Sequence, residues 1–194
     1  MQLFILIIII GYFIGSIPFS YLIGKKTAHL DLREHGSGNL GSTNVTRIAG
    51  KKAGLIAFVL DLSKGILSYL VGYHLLGITG AALCTGMSII GHCYSIFMKF
   101  KGGKGVATTY GILIMFNPIL AITLFVIQVL IVKTSKFMSL GSIMTAIFIP
   151  VLGYFFNMEI QFIYLGIFLA IFIPFRHKDN IKRLLSGTEN KFKI

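Results

Sequence analysis

Apolar residues along this chain come in long runs rather than in stripes. Runs with few or no charges stand near residues 3–24, 53–73, 78–98, 138–156 and 159–175, each close to the roughly 20 residues a helix needs to cross a bilayer core. A further run is less simple. From Gly105 to Val132, 28 residues carry no charge, yet Asn117-Pro118 interrupts them; a proline inside such a run makes either one kinked helix or two short ones meeting at a membrane surface. The opening MQLFILIIIIGYFIGSIPFS lacks the basic start and small-residue cleavage site of a secretory signal, so it reads as a retained first span. No internal repeat or low-complexity segment stands out. One compact helical domain over 1–194 is expected.

Composition agrees with that pattern. Of 194 residues, 55% are hydrophobic and 12% charged, about half the charge of a soluble domain. Eighteen Lys and Arg face six Asp and Glu, for a net charge of +12; such an excess suits nucleic acid, anionic lipid or phosphorylated small molecules, and the apolar runs exclude nucleic acid as the partner. Cys84 and Cys93 both lie in apolar sequence, where a cysteine acts as a small buried hydrophobe.

The placement of the basic residues orients the spans, because Lys and Arg in short loops favour the cytoplasm. Lys25, Lys26, Arg33, Arg47, Lys51 and Lys52 separate the first two spans, and Lys99, Lys101 and Lys104 follow the third. If 105–132 crosses once, Lys133, Lys136 and the basic tail fall outside. If it crosses twice, 17 of the 18 Lys and Arg are cytoplasmic and only Lys64 stays within a span. The expectation is therefore an all-α polytopic membrane protein with seven transmembrane helices, N-terminus outside and C-terminus cytoplasmic. The two halves of 105–132, at about 12 to 14 residues each, must thin the bilayer or lean on their neighbours.

Four constellations carry candidate chemistry. The first loop holds HGSGNLGSTNVTR, from His35 to Arg47. Its Gly36, Gly38 and Gly41 match the spacing of a dinucleotide-binding turn, but no strand precedes them and no sheet is available. What remains is local: glycines let successive N–H groups converge on an anion, and Ser37, Asn39, Ser42, Thr43, Asn44 and Arg47 add donors. An ordinary flexible loop is the alternative. The second is KFKGGKGVATT, Lys99 to Thr109, a glycine cluster that opens a helix whose N-terminus favours an anion. It is no Walker A loop, because Gly105 follows Lys104; lysines that merely anchor the third span to headgroups are its alternative.

The third constellation is the tail FRHKDNIKRLLSGTEN, Phe175 to Asn190. His177 and Asn180 share a helical face, Leu184 and Leu185 are expected to pack onto the membrane domain, and Glu189 is the late carboxylate. A helix lying on headgroups is the alternative reading. The fourth is Asp61-Leu62-Ser63-Lys64-Gly65 inside the second span, where charge is costly unless paired. An i, i+3 structural pair of Asp61 with Lys64 is favoured over a catalytic one, and His92 is expected to hydrogen-bond a neighbouring helix.

With these residues in hand the chain resembles the bacterial acyl-phosphate-dependent glycerol-3-phosphate acyltransferases, membrane-embedded and of the seven-span type. The resemblance covers nearly the whole chain and rests on GSGNLGSTNVTR at 36–47, DLSKG at 61–65, GHCYSIFMKFKGGKGVAT at 91–108 and RHKDNIKRLLSGTE at 176–189. It implies transfer of a fatty acyl group from acyl phosphate to the 1-hydroxyl of glycerol 3-phosphate, giving lysophosphatidic acid and phosphate, at the cytoplasmic face of the bacterial inner membrane. By motif it makes Ser37, His177, Asn180 and Glu189 the catalytic candidates. Gly36, Gly38, Asn39, Thr43, Asn44, Arg47, Lys101, Gly102, Gly103, Lys104, Gly105 and Thr108 become the phosphate-binding candidates. Leu40, Ser42 and Ser95 stand where such proteins commonly have Pro, Ala and Pro, which bears on loop rigidity.

No cofactor or metal is implied, since Asp31, Asp61 and Asp179 are scattered rather than grouped. Membrane lipid surrounds the expected protein, and a soluble enzyme that makes acyl phosphate is a candidate partner. Acyl phosphate is already activated, so direct attack in a ternary complex is expected, with the proton passing to His177 or to the leaving phosphate. A transporter of a phosphorylated small molecule is the rival of a different class. It calls for polar groups through the midplane, where this chain offers little beyond Asp61, Lys64 and a few hydroxyls.

Overall fold

Proline, asparagine and glycine decide where the apolar runs break into helices. The computed structural model describes residues 1–192, and all regular structure among them is helical. The α-helices are α1 Gln2–Ser16, α2 Phe19–Ala28, α3 Ser42–Cys93, α4 Val106–Phe116, α5 Pro118–Ser135, α6 Met138–Phe155, α7 Ile160–Arg176 and α8 Lys178–Leu185, with a 3₁₀ turn at Ile96–Met98. Within α3 the helical backbone is interrupted at Gly50 and again at Leu76-Gly77, which leaves helical pieces over 51–75 and 78–93. Four stretches, Gln2–Ala28, Ser42–Met98, Pro118–Ser135 and Met138–Phe155, are long and apolar enough to cross a membrane, and Ile160–Arg176 joins them if counted with α8 across a 61° bend.

Several boundaries differ from those the sequence predicts. The first span is not continuous over 3–24: Pro18 separates α1 from α2, because it has no N–H to donate back along the helix. The third run ends as α-helix at Cys93 rather than near residue 98, with Tyr94 as its C-cap. Lys99 and Phe100 then adopt left-handed φ of 54° and 58°, which reverses the chain. Residues 105–132 do form two helices, separated at Asn117, whose side chain accepts from the Leu120 N–H at 3.0 Å while Pro118 takes the first helical position. They are unequal. The first has 11 residues and the second 18, running on to Ser135.

The chain divides into two compact units, Met1–Met115 and Phe116–Ile194. In the first, small residues let helices meet backbone to backbone. A Cβ on Gly15 would stand 2.0 Å from the Ser88 carbonyl oxygen, and one on Gly65 would stand 2.2 Å from that of Thr108. An apolar cluster of Leu32, Leu40, Val45, Ala53, Ala57 and Met98 underlies the first loop. In the second unit α6 packs between α5 and α7, Phe116 stacks at a tilt on Phe162, and the Phe192 N–H donates to Lys136 O at 2.7 Å, which ties down the tail. Leu185 is 85% exposed, so it does not pack inward as expected: the eight-residue α8 buries Asn180 and turns Leu185 outward.

Candidate functional site

In the first unit two loops carry the candidates. Asn44, 1% exposed, shapes the first of them. Its Oδ1 accepts the Ser37 N–H at 2.9 Å, and its Nδ2 donates to Leu32 O at 3.2 Å and His35 O at 3.1 Å. Gly36 sits at φ 63°, where a Cβ would stand 2.3 Å from Asn44 Oδ1, so glycine is required there by both conformation and space. The Asn44 amide is thus turned to the loop backbone, while the Ser37 side is left at the surface. Thr43 and Arg47, four residues apart in the first turns of α3, share one helical face; Asn39 lies half-buried at the bend before it.

Asp31 closes the loop's base. Its carboxylate accepts from Arg33 Nε at 2.9 and 3.1 Å and from Arg33 Nη2 at 2.5 Å, and that bonding holds the Asp31 pKa down to about 2 and raises that of Arg33. His35 Nδ1 lies 2.9 Å from Asp31 O. The Asp31 carboxylate is therefore engaged with Arg33, and no Ser–His–carboxylate relay is built around Ser37.

The second loop folds against the end of α3. Gly103 N–H donates to His92 O at 3.1 Å, and a Cβ on Gly102 would come within 2.1 Å of that same oxygen. Gly105, at φ 85°, turns the chain into α4, whose first turn buries Thr108. Lys101 and Lys104 flank the turn. A small cavity, with room for about one water, lies beside it and is lined by Ser20, Leu40, Lys64, His92, Lys101 and Gly102 among others. The 102–105 turn, the first loop through Leu40, and the Asp61–Lys64 charges are thus brought to one place.

The Asp61–Lys64 pair forms as expected, at 2.8 Å, and His92 joins it through Nδ1, 2.9 Å from Lys64 Nζ. Sequence reasoning treated the pair and the histidine separately. The signal available was two charges and an imidazole inside apolar runs, but their meeting depends on how two helices pack. Ser95, where proline was the family expectation, keeps a proline-like φ of −66° and adds a bond from Oγ to Ser16 O at 2.5 Å.

In the second unit Asn180 and Glu189 of the tail share one network. Glu189 Oε1 accepts from Ser139 Oγ at 2.8 Å and from Asn180 Nδ2 at 2.6 Å, and Oε2 accepts from Arg183 Nε at 2.8 Å. Burial pushes the Glu189 pKa up, but the bonds from Asn180, Ser139 and Arg183 outweigh it and hold the carboxyl below its ordinary value. Ser139 was not singled out in the sequence, where it is one hydroxyl in an apolar run. His177, buried at the start of α8, places Nδ1 2.8 Å from Ile173 O. A carbonyl only accepts, so Nδ1 carries the proton and the lone pair of the neutral ring is on Nε2. Among the described residues no group of three His, Cys, Asp or Glu side chains is arranged to hold a metal.

An all-helical protein with apolar helices, two glycine-shaped basic loops and a buried His–Asn–Glu tail defines a membrane enzyme class that handles anionic substrates. The particular family follows from comparison with known proteins. The glycerol-3-phosphate acyltransferase family matches residues 5–187, and the chain belongs to it. The glycerol-3-phosphate acyltransferase of Carboxydothermus hydrogenoformans is 46% identical over 187 residues, 96% of this chain and 95% of that one; that of a Thermoanaerobacter species is 40% identical over 96% of this chain and 94% of its own. Among solved structures, PlsY (YgiH), an integral membrane glycerol 3-phosphate acyltransferase in its glycerol 3-phosphate form, superposes with a TM-score of 0.92 at 36% identity, over 98% of this chain and 96% of that one. Its lysophosphatidic acid form gives 0.90 at 34%, over 98% and 95%. The chain is an acyltransferase acting on glycerol 3-phosphate.

Proposed function

We propose that the acyl donor is acyl phosphate and that the acyl group passes directly to the 1-hydroxyl of glycerol 3-phosphate. The observation that carries this reading is the 102–105 turn: a glycine turn packed closely against His92, between two lysines, at the start of a helix, suits a phosphate far better than a thioester carrier. In the first unit, Arg47, Lys101 and Lys104 neutralise phosphate charge. Gly36, Gly38 and the glycines of 102–105 let the backbone come close to its oxygens, Ser37, Asn39, Thr43 and Thr108 line the loops, and Asn44 keeps the first loop in shape. In the second, His177 and Asn180 orient the acceptor hydroxyl and Glu189 holds Asn180.

The hydroxyl oxygen bonds to the acyl carbon, the bond from that carbon to the phosphate oxygen breaks, and inorganic phosphate leaves. The hydroxyl proton goes to His177 Nε2 or to an oxygen of the departing phosphate; the bond from His177 Nδ1 to Ile173 O supports the first. The chain acts as one domain in the bacterial cytoplasmic membrane, crossing seven times, with the N-terminus outside and the loops and tail in the cytoplasm. The count of 17 cytoplasmic Lys and Arg out of 18 supports that orientation. A soluble enzyme that makes acyl phosphate supplies the donor.

The test supplies purified protein with radiolabelled glycerol 3-phosphate and, separately, acyl phosphate, acyl-coenzyme A and acyl carrier protein thioester. Lysophosphatidic acid is expected from acyl phosphate alone. Product from a thioester and none from acyl phosphate would overturn the donor assignment.

A further inference from the structure

The buried Asp61–Lys64–His92 cluster reaches from the break in the first span to the glycine turn. Lys64 and Asp61 are 2% and 1% exposed. Lys64 Nζ lies 2.8 Å from Asp61 Oδ1, 2.9 Å from His92 Nδ1, 2.9 Å from Ile17 O and 3.1 Å from Gly15 O. Pro18 ends α1, and the lysine donates to Gly15 O in its last turn and to the carbonyl of the capping Ile17, which also accepts the Phe19 N–H. Ser20, at the start of α2, donates through Oγ to Asp61 Oδ2. Charge at this depth costs several kcal/mol unless paired; here the Lys64 charge is surrounded by acceptors, while Asp61 Oδ1 faces it as an ion pair without a hydrogen bond.

The arrangement also dictates the state of the imidazole. An ammonium has only hydrogens to offer, so His92 Nδ1 accepts and the ring proton is assigned to Nε2. That nitrogen faces the glycine turn: a Cβ on Gly103 would come within 2.1 Å of it, while the Gly103 N–H is bonded to the backbone oxygen of the same histidine. His92 therefore touches Gly103 from both its side chain and its main chain.

We propose that Asp61, Lys64 and His92 are positioning residues for the transfer, with Lys64 locking His92 as the Nε2–H tautomer so that the imidazole sets the shape of the 102–105 turn. This rests on the turn being the phosphate cradle. The cluster lies outside the loops that meet substrate in the proposed function, so its effect is expected in substrate affinity more than in the chemical step.

The test uses the full chain in detergent or liposomes. His92→Phe keeps a ring of similar size but removes both nitrogens, and it is expected to raise the KM for a phosphate-bearing substrate about tenfold, the effect of one lost hydrogen bond to a charged group, with kcat little changed. His92→Gln, whose amide nitrogen can stand where Nε2 stands, is expected to recover most of that loss. Histidine ¹⁵N spectra are expected to show the Nε2–H form in the wild type and a mixed population in Lys64→Met. Wild-type KM in folded His92→Phe, equal losses in Phe and Gln, or an Nδ1–H ring in the wild type each overturn the proposal. Gly103→Ala separates this from the parent reading. If it raises KM while His92→Phe does not, the cradle stands and the cluster's role falls; if folded Gly103→Ala keeps wild-type KM, the cradle itself is wrong and the proposal falls with it. Should Lys64→Met not fold, the Phe and Gln pair decides the matter.

Discussion

Replacing Glu189 with alanine probes how the tail holds its functional amide. The side chain is 4% exposed and receives three donors. Removing it leaves Ser139 and Asn180 as buried groups without their acceptor, at about 1–3 kcal/mol each. The Arg183 bond adds less, because that side chain is 36% exposed and solvent screens it, to roughly 0–1 kcal/mol. The sum is about 2–7 kcal/mol, and at about 2–4 °C per kcal/mol for a chain of this length the unfolding midpoint falls by at least roughly 4 °C and by roughly 13 °C at mid-range. Glu189→Gln keeps a carbonyl oxygen for Ser139 and Asn180 and loses only the charge facing Arg183, so about 1 kcal/mol is expected. Asn180 loses its anchor in the alanine variant alone, so kcat falls there first. Thermal unfolding in detergent, paired with initial rates on both variants, measures both effects. Wild-type midpoint and kcat in Glu189→Ala, or glutamine as damaging as alanine, would refute the reasoning.

Arg47→Ala and Lys104→Ala each remove a charged donor worth about 1.5–3 kcal/mol, so KM for a phosphate substrate rises at least about tenfold; unchanged constants in folded protein would count against the cradle. Cysteines placed at Lys133 and Lys178 should resist an impermeant reagent applied to intact cells and react after lysis, and labelling of both from outside would defeat the seven-span orientation. The folded Glu189 pKa is depressed, so its stabilisation is complete above the unfolded value of about 4.3 and is lost as pH falls through the folded value. Amide protection in 178–189, corrected for the intrinsic pH dependence of exchange, should fall below that range and hold from pH 6 to 8; unchanged protection in acid would refute the linkage. Direct transfer requires both substrates bound together, so initial-rate plots should intersect, and parallel lines with an acylated protein trapped from acyl phosphate alone would falsify it.

Much of the helical plan was legible because the bilayer's demand for satisfied backbone groups writes itself into composition. The runs at 138–156 and 159–175 became α6 and α7 within a residue or so at each end, and the Asn117-Pro118 break separates two helices, α4 and α5. The break at Pro18 was overlooked because uninterrupted apolar character masked it. The early end at Cys93 was missed for a related reason: Ile96, Phe97 and Met98 are apolar, yet they form a 3₁₀ turn whose direction depends on left-handed Lys99 and Phe100.

The candidate loops were legible too, since glycines flanked by hydroxyl, amide and basic side chains mark them out in the sequence. By itself the sequence determined that the chain is helical and apolar, where its basic residues cluster, and which family its motifs belong to. Tertiary structure alone decided what each of those residues touches: that Asn44 serves its own loop, that Ser139 meets Glu189, and that His92 joins Asp61 and Lys64 beneath the glycine turn. The reason is physical. Spacing along one helix fixes which side chains share a face, but contacts across helices depend on how closely backbones approach, and here that approach is set by glycines such as Gly15 and Gly65 whose role appears only when their neighbours are in place.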